Sequence, residues 1–500
     1  KSCGIYLSHQ PRENGMKDIA RHWMDGQWQT SAHVAESTNP ATGTVVGRFA
    51  DGGRATAEVA VAAARRAFEN TIWPRDRALR HRVLNDMAET IAARADEIAT
   101  MLTKENGKTR YESGLELAST GPVLRHAAAQ ALTETGISAE VSPGVFFSTL
   151  NEPMGVVAII VPWNAPVALL IRSLGPALAA GNTVVVKMPG QTALTGVLVA
   201  EAIAEVAELP RGVVNIFTET GNTGAPFLVS SAQVNAVSYT GSVAVGRAVA
   251  AGGASTLKRL NLELGGKAPM IVFDDADLDA VLPVLVAGVT AFGGQFCMAG
   301  SRILVHRAVA DRVRDGLRAA LEAVVVGPGD QDGTQMGPLI DKAAVRRIDA
   351  LVEQSLAYAK AIVRGGPVDE GPLAAGSFYR PALLEVSDLD TPLVREELFG
   401  PVATFEVFDD EADAVHRANA TDFGLSAAVF TRDVDRARRV SREVQAGTVW
   451  TNAWFVLDDG FAEGGFKSSG IGRLRGPLAT AAFSEAKTYV QVSPASQTKN

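Results

Sequence analysis

Cys297 is one of only two cysteines in the 500-residue chain and lies in the stretch FGGQFCMAGSR, residues 292–302. A cysteine in such a stretch is either a small buried apolar side chain or a nucleophile, because a thiolate adds readily to a carbonyl carbon. Two glycines precede it, and they let the backbone approach another group closely. The rest of the chain has to decide between these interpretations.

Three further polar residues accompany buried strand patterns. Asn164 follows an apolar run in PWN, Lys187 ends the next run in KMPG, and Glu263 precedes two glycines in LELGGK. Each alone has an ordinary structural interpretation, since Asn at a strand end caps turns and Lys or Glu is a solvated charge. As a set they place an amide donor and a carboxylate base in the same chain as a candidate nucleophile.

Residues 153–275 alternate short apolar strands with helix-patterned segments, which predicts a parallel sheet covered by helices on both faces. The predicted strands are 155–161, 183–187, 212–217 and 234–239, and the predicted helices are 165–181 and 192–209, the second stopped by Pro210. Ligands of such sheets bind at the carboxyl ends of the strands. The loops that hold Asn164 and Lys187, with TGS at 240–242, are expected at that edge.

A second region of alternating pattern predicts another α/β domain. Its predicted strands are 268–273, 302–306, 401–408 and 426–431, and its predicted helices are 274–292 and 307–325. Apolar positions at helical spacing predict two more helices near the N-terminus, at 54–69 and 80–102.

Composition excludes several classes of protein. The formal charge of −8, without long runs of one sign, argues against a nucleic-acid partner. No apolar run reaches the roughly 18 residues that span a membrane. Residues 1–15 show no export-signal pattern and two cysteines make no disulfide framework, so a cytoplasmic protein is expected. No metal site is expected.

Five motifs together resemble the aldehyde dehydrogenase superfamily. They are PWN, LELGGK, GGQFCMAGSR, REELFGPV and GGFKSSGIGR, and they occur in the order and spacing of that family. Glu263 lies thirty-four residues before Cys297, which fits the pattern, and the resemblance runs from residue 22 to residue 490. It implies an α/β fold with a Rossmann-type cofactor domain, an α/β catalytic domain and a small β oligomerisation element.

The resemblance implies a role for each catalytic candidate. Cys297 would add to an aldehyde as a thiolate, and the resulting thiohemiacetal would lose hydride to give a thioester. The Asn164 amide and the Cys297 backbone N–H would form the oxyanion hole. Glu263 would act as the general base that activates water for hydrolysis.

The resemblance also implies a cofactor, NAD or NADP. The residues assigned to it are Trp163, Lys187, Gly190, Gly221, Ser242, Glu397 and Phe399. Lys187 would bind the adenosine ribose, Ser242 the pyrophosphate at a helix start, and Glu397 the nicotinamide ribose.

Three positions depart from the family pattern. Gly190 replaces a Glu that binds the adenosine ribose in many members, and its loss predicts either tolerance of NADP alongside NAD or a simple loss of affinity. Leu474 replaces a Glu, and Ser173 a Lys, that many members place near the general base. A proton leaving Glu263 would then need water or another route.

The substrate side of the site leaves three alternatives. The residues assigned to it are Ala165, Arg172, Phe296, Met298, Leu457 and Glu463. Ala165, where Phe is common, favours a bulky or aromatic aldehyde, and PWNAPV resembles the salicylaldehyde and aromatic-aldehyde members. A free Arg172 would favour a carboxylate-bearing semialdehyde, but it could equally pair with Glu463. Acidic residues near the mouth would favour an aminoaldehyde.

Other functions are less well supported by the sequence. Acylating members pass the thioester to coenzyme A and usually lack the general-base Glu, which is present here. A catalytically silent member is opposed by the presence of Cys297, Glu263 and Asn164. A cysteine hydrolase would need a histidine, and none of the seven lies in a motif that suggests pairing with Cys297.

The predicted domains follow from the resemblance. Residues 1–132 and 153–264 form the NAD(P)-binding domain, 265–477 the catalytic domain, and 133–152 with 478–500 the oligomerisation element. TYVQV at 488–492 alternates enough to be a strand added to a neighbour's sheet. A homodimer or homotetramer is implied.

Overall fold

The computed structural model of the protein describes residues 19–133 and 136–493. The prediction about an export signal in residues 1–15 lies outside the described residues. So do the first part of the predicted cofactor domain and the last part of the predicted oligomerisation element.

The described strands are, in chain order, β1 (Ile19–Ala20), β2 (His22–Met24), β3 (Gln27–Gln29), β4 (His33–Thr38), β5 (Val45–Asp51), β6 (Ile137–Ser142), β7 (Val145–Pro153), β8 (Val156–Ile160), β9 (Thr183–Pro189), β10 (Val214–Glu219), β11 (Ala236–Thr240), β12 (Arg259–Glu263), β13 (Pro269–Val272), β14 (Arg302–His306), β15 (Lys360–Val363), β16 (Gly366–Pro367), β17 (Tyr379–Arg380), β18 (Ala382–Glu385), β19 (Val402–Phe408), β20 (Phe423–Gly424), β21 (Ser426–Phe430), β22 (Thr448–Thr451), β23 (Phe466–Lys467), β24 (Gly470–Ile471) and β25 (Ser484–Val492).

The described α-helices are α1 (Arg54–Asn70), α2 (Arg77–Ala93), α3 (Ala95–Asn106), α4 (Arg110–Ala118), α5 (Thr120–Thr133), α6 (Pro166–Ala179), α7 (Ala193–Ala204), α8 (Gly224–Ser230), α9 (Val243–Gly253), α10 (Leu278–Thr290), α11 (Ala310–Glu322), α12 (Lys342–Ser355), α13 (Pro392–Arg395), α14 (Glu411–Asn419), α15 (Val434–Glu443) and α16 (Gly476–Ala481). None of them is long and apolar enough to cross a membrane.

The first large sheet has eight strands in the order β24-β12-β11-β8-β9-β10-β2-β3. Strands β8 to β12 run parallel, so their carboxyl ends meet at one edge. Strand β8 shows why helices cover both faces: Val157 and Ile159 pack into the core beneath α2, α5, α6 and α7, while Val156 and Ala158 pack beneath α1, α8 and α9. The predicted parallel sheet is confirmed.

The second large sheet has seven strands in the order β15-β18-β19-β14-β13-β21-β22. All its pairings are parallel except that of β15 with β18. Met270 and Val272 of β13 pack against α10 and α11, while Ile271 packs on the opposite face against α14 and α15. The predicted second α/β region therefore has the same two-faced construction.

A separate three-stranded sheet has the order β25-β7-β6. Strand β25, which contains the predicted strand 488–492, pairs antiparallel with β7 of its own chain from Ser484 to Val492. The division of the chain into domains stays a prediction. Strand β24, from the predicted catalytic segment, adds to the edge of the eight-stranded sheet.

Two predicted helices differ from the structure. The helix expected over 80–102 is broken at Arg94, whose backbone leaves the helical region (φ −110°, ψ 12°) while its guanidinium pairs with Glu201 of α7 at 2.6 Å. The helix expected to run to residue 209 ends at Ala204, because the chain then turns through residues 206–213 into β10. Strand β12, which carries Glu263, was not among the predicted strands.

Candidate active site

Two cavities meet at Cys297. The first, here called the sheet-edge cavity, has a volume of about 310 Å³ and lies at the carboxyl ends of β8, β11 and β12. The second, here called the aromatic cavity, has a volume of about 460 Å³. Cys297 and Leu169 line both. A group that enters either cavity therefore reaches the same thiol.

The eight-stranded sheet delivers three of the predicted polar residues to the sheet-edge cavity. Asn164 lies in the loop after β8, Glu263 is the last residue of β12, and Ser242 follows β11. Asn164 and Glu263 are buried, at 7% and 4% exposure. The expectation that the strand-end loops share one edge is confirmed for Asn164 and Ser242, and Glu263 reaches the same edge from a strand that was not predicted.

A left-handed backbone turn presents Cys297. Phe292, Gly293 and Gly294 have φ of 53°, 62° and 66°, a region that glycine enters without strain. The side chain of Gln295 fixes the turn, since its Oε1 accepts from the backbone N–H of Ile340 at 2.9 Å. This conformation explains the two glycines before the cysteine.

Asn164 and Gly266 both contact the cysteine loop. The Asn164 Nδ2 donates to the Gln295 carbonyl at 3.1 Å, so the amide lies against the residues just before the thiol. A Cβ atom on Gly266 would stand 2.2 Å from the Cys297 carbonyl oxygen. The second glycine of LELGGK is therefore required by close packing against the backbone of Cys297.

Burial shifts the titration of the reactive groups. It raises the pKa of the Cys297 thiol to about 12, although Arg172 opposes the shift. It also holds the pKa of Glu263 well above its usual range, again against Arg172. Burial raises the pKa of Glu397 to about 7. Both the thiol and the general-base candidate thus need help from neighbouring charges to ionise.

Arg172 supplies that charge while paired to protein carboxylates. Its Nη1 lies 2.5 Å from Glu463 Oε1 and 3.9 Å from Glu263 Oε2. Arg475 donates through Nε to the other oxygen of Glu463 at 2.8 Å and also pairs with Asp459. Of the two alternatives for Arg172, the structure has the pairing with Glu463, and the guanidinium still lines the aromatic cavity.

Lys108 and Glu116 form a buried ion pair that the sequence analysis missed. Lys108 Nζ donates to Glu116 Oε2 at 2.5 Å and to the backbone carbonyl of Asn164 at 2.7 Å, and the two side chains are 1% and 2% exposed. Glu116 Oε1 accepts from the first N–H groups of α6, at Val167 and Ala168. The pair therefore holds the loop that presents the Asn164 amide.

Glu112 connects the same helix to the cysteine loop, since its Oε1 accepts from the backbone N–H of Phe292 at 2.6 Å. Helix α4 thus supports both catalytic loops. A sequence signal existed: Glu112 and Glu116 are four residues apart, which puts them along one face of α4, and Lys108 lies just before the start of that helix. Without the fold, nothing indicated that this face is buried.

Aromatic side chains form one wall of the aromatic cavity. The rings of Phe296 and Phe455 lie 4.7 Å apart, and those of Phe292 and Phe296 lie 5.2 Å apart. Phe455 has φ of 57°, an uncommon conformation for a bulky residue, of the kind that clusters at functional sites. Trp454 Nε1 donates to the Met298 carbonyl at 3.0 Å and so links this wall to the cysteine loop. The predicted lining residues Ala165, Arg172, Phe296, Met298, Leu457 and Glu463 all line this cavity.

The sheet-edge cavity fits the nicotinamide half of a dinucleotide. Ser242 caps the first turn of α9, where free N–H groups attract a phosphate. Glu397 Oε1 accepts from the Gly266 N–H at 3.0 Å, and the Trp163 and Phe399 rings meet edge to face at 5.6 Å. Together these residues offer an anion site, a hydroxyl acceptor and a flat apolar slot.

Lys187, Gly190 and Gly221 lie farther out, along the carboxyl ends of β9 and β10, and do not line the sheet-edge cavity. A Cβ on Gly190 would stand 2.4 Å from Thr220 Cγ2, so a glutamate has no room there unless Thr220 moves. Burial lowers the pKa of Lys187, while the carboxylates of Glu219 and Asp51 raise it. The adenosine end therefore retains carboxylates despite the missing Glu.

The two cavities offer few groups that would support histidine-dependent or metal-dependent chemistry. No histidine of the described part of the chain lines either cavity. Among residues 19–133 and 136–493, no group of three or more His, Cys, Asp and Glu side chains is arranged to hold a metal ion.

Comparisons with known proteins cover nearly the whole chain. The sequence profile of the aldehyde dehydrogenase family matches residues 28–489. Phenylacetaldehyde dehydrogenase of Pseudomonas fluorescens is 34% identical, over 97% of this chain and 96% of that protein. Betaine aldehyde dehydrogenase of Sinorhizobium fredii is 37% identical, over 94% of this chain and 96% of that protein. The crystal structure of betaine aldehyde dehydrogenase from Staphylococcus aureus in complex with NAD+ superposes with a TM-score of 0.93 and 31% identity, covering 97% of both chains.

Proposed function

This chain belongs to the aldehyde dehydrogenase family and is an NAD(P)-dependent aldehyde dehydrogenase, and on that premise we propose that its substrate is a bulky or aromatic aldehyde. One observation carries the substrate class: the aromatic cavity presents rings and small apolar side chains to the thiol, while most of its charged groups are already paired with one another.

The chain's own residues would perform the oxidation as follows. The Cys297 sulfur adds to the aldehyde carbon, and the new alkoxide is stabilised by the Asn164 amide and the Cys297 backbone N–H. Lys108 contributes by fixing the Asn164 loop. Bound in the sheet-edge cavity, NAD(P)+ supplies a hydride acceptor. Loss of hydride from the thiohemiacetal carbon leaves a thioester on Cys297.

Glu263 would complete the reaction. Its carboxylate takes a proton from water, the hydroxyl adds to the thioester carbon, and the carbon–sulfur bond breaks to release the acid and the free Cys297 sulfur. Glu263 lines the sheet-edge cavity beside Cys297, and this position supports its role as the base on the side from which hydride would depart.

The paired charges argue against a carboxylate-bearing semialdehyde. Such a substrate needs a free cation, yet Arg172 lies against Glu463 and Glu263, and Arg475 lies against Glu463 and Asp459. Separating one of these buried pairs would leave a charge uncompensated, at a cost of about 3–5 kcal/mol. An aromatic ring fills the same volume without that cost.

A cationic aldehyde is the second candidate. Asp458 is exposed at the wall of the aromatic cavity and forms no salt bridge with any residue the structure describes. The rings of Phe296 and Phe455, which both line this cavity, could face a quaternary ammonium group. The two similar betaine aldehyde dehydrogenases favour this alternative, and the similar phenylacetaldehyde dehydrogenase favours the first.

A panel of aldehydes separates the candidates. We expect kcat/KM, followed by absorbance of the reduced cofactor, to be highest for benzaldehyde or phenylacetaldehyde. A clear preference for succinate semialdehyde, aminobutyraldehyde or betaine aldehyde would overturn the aromatic assignment. Ala165→Phe should lower kcat/KM for the aromatic aldehydes and spare propanal, because the added ring narrows the aromatic cavity.

The cofactor preference follows from the adenosine end. We propose that NAD is used in preference to NADP, because Glu219 and Asp51 place negative charge near Lys187, where a 2′-phosphate would have to bind. Asp51→Asn should improve kcat/KM with NADP more than with NAD. Equal use of both cofactors by the unaltered protein would contradict this preference and support the tolerance suggested by Gly190.

The three-stranded sheet is the proposed oligomerisation element of a homodimer or homotetramer. Both faces of the sheet expose apolar side chains, Phe146, Leu150 and Tyr489 on one face and Ile137, Phe147, Val490 and Val492 on the other. The outer edge of β25 pairs with no other strand of the described chain. An exposed apolar strand edge of this kind favours addition of a neighbour's strand. The domain boundaries and the cytoplasmic location stay predictions.

A further inference from the structure

The general base lacks the charged neighbours that many family members place beside it. Leu474 stands where the glutamate would be, and its side chain is fully buried. Ser173 stands where the lysine would be, and its hydroxyl hydrogen-bonds that of Ser238 at 3.0 Å. Neither side chain is charged, so any charge that controls Glu263 must come from other residues.

A run of alternating charges, here called the ion chain, leads from Glu263 toward the mouth of the aromatic cavity. It consists of Glu263, Arg172, Glu463, Arg475 and Asp459, each in a salt bridge with the next. The side chains become more exposed along it, from 4% at Arg172 to 12% at Arg475 and 21% at Asp459. Its inner end is thus sealed from water, and its outer end reaches solvent.

The backbone at position 474 holds the ion chain in place. Glu463 and Leu474 form an antiparallel bridge, with N–H to carbonyl distances of 2.6 Å and 2.8 Å. The bridge fixes the Glu463 side chain between two arginines, one at each carboxylate oxygen. The position that lacks the family acid therefore supports a different acid, one that anchors Arg172.

We propose that Arg172, anchored by Glu463, is the positioning residue that keeps the Glu263 carboxylate ionised and oriented for hydrolysis of the thioester. The proposal rests on the general-base role proposed for Glu263. A buried carboxyl group favours its neutral form, and a cation within about 4–6 Å restores the ionised form. Arginine does not give up its proton at working pH, so Arg172 acts through its charge and is no proton relay.

The charged groups that face Glu263 shift its pKa in different directions. Arg172 from α6 and Arg473 from the loop after β24 lower its pKa, while Glu463 from the segment before β23 raises it. Cys297, from the facing loop, titrates in the same cluster. The two members of one ion pair therefore shift the pKa of the base in opposite directions, because they carry opposite charges.

Substitutions in the ion pair test this role through the pH profile of kcat. The profile is measured with benzaldehyde and saturating NAD, and one of its limbs reports the ionisation of Glu263. Arg172→Met should move this limb to higher pH by roughly 1–2 units, as expected for loss of a cation at this distance. Each unit lowers kcat about tenfold at pH values below the limb. Glu463→Gln should move the limb downward. Arg172→Lys should restore part of the wild-type profile.

Rapid mixing locates the affected step. In Arg172→Met the first burst of reduced cofactor should keep an amplitude near one per active site, while the steady-state rate falls, because hydrolysis of the thioester is slowed. Arg94→Met is the control, since Arg94 is likewise an arginine in an ion-pair cluster, although its side chain is 18% exposed against 4% for Arg172, and it lines neither cavity. It should leave both burst and profile unchanged.

Two results would overturn the proposal. One is a pH limb that stays in place, or moves the same way, in Arg172→Met and Glu463→Gln. Another is a rise in KM confined to succinate semialdehyde in Arg172→Met, which would assign the arginine to substrate binding. If Arg172→Met fails to fold, Glu463→Gln and Arg172→Lys still decide the sign of the shift. A Glu263→Gln variant that turns over as fast as the wild-type protein would contradict the general-base step itself, whatever the outcome for Arg172.

Discussion

Lys108 offers the sharpest test of how the fold positions the oxyanion donor. Lys108→Met removes the ammonium that contacts Glu116 at 2.5 Å and the Asn164 carbonyl at 2.7 Å, and it retains a flexible apolar side chain of similar length. Because both charged side chains are at most 2% exposed, the substitution leaves the Glu116 carboxylate buried without its cation. Removing one partner of such a pair costs about 3–5 kcal/mol.

This loss of free energy should affect two measurable quantities, the Tm and the kcat/KM of the variant. For a domain of 150–250 residues each kcal/mol lowers Tm by roughly 2–4 °C, so a loss of about 3 kcal/mol predicts a fall of roughly 6–12 °C. The Asn164 loop also loses its anchor, and a misplacement of about 1 Å at a catalytic group can cost about a hundredfold in rate. We therefore expect kcat/KM for aldehyde oxidation to fall by roughly ten- to a hundredfold at temperatures where the variant is folded.

Thermal unfolding and steady-state kinetics on the same preparations provide the assay. Lys104→Met, on the exposed side of α3, is the matched control and should change neither quantity. Combining Lys108→Met with Glu116→Gln should recover part of the stability, because the glutamine is neutral and can still accept from Val167 and Ala168. A variant Lys108→Met with wild-type Tm and wild-type kcat/KM would refute the positioning argument.

Three further predictions concern other parts of the molecule. Gly266→Ala should lower kcat by at least tenfold in the dehydrogenase assay, because its Cβ would stand 2.2 Å from the Cys297 carbonyl; unchanged kcat would show that the loop adapts freely. Phe147→Asp should reduce the mass found by analytical ultracentrifugation, because it places a charge on one exposed apolar face of the three-stranded sheet, and an unchanged mass would move the interface elsewhere. Steady-state turnover should rise with pH from the neutral into the mildly alkaline range, because burial raises the pKa of Glu263 and only the ionised carboxylate activates water; Glu263→Gln should lack this rise.

The local sequence pattern predicted those parts of the site whose structure depends on residues close together in the chain. The apolar runs at 155–161 and 183–187 are β8 and β9, and the loop that follows β8 delivers Asn164 to the sheet edge, because parallel strands share that edge. The turn that presents Cys297 was marked by its two glycines. Family resemblance supplied the roles that spacing alone left open.

Contacts between segments that are far apart in the chain could not be predicted from the sequence pattern. Lys108 reaches the Asn164 carbonyl from fifty-six positions away, and its burial depends on how α4 packs beneath α6. The pairing of Arg172 with Glu463 spans 291 positions, so the sequence offered it only as one of two alternatives. In both cases the sequence showed a charged side chain but did not show which residue it pairs with. The pairing depends on how whole helices and strands pack against one another.

Trapping the covalent intermediate tests the central claim most directly. Glu263→Gln, mixed with NAD and benzaldehyde and quenched in acid, should accumulate a benzoyl group on the proteolytic peptide that contains Cys297, as measured by mass spectrometry. Cys297→Ala should show neither the adduct nor reduced cofactor. An acyl group on any other residue, or reduced cofactor formed by Cys297→Ala, would contradict the assignment of Cys297 as the nucleophile.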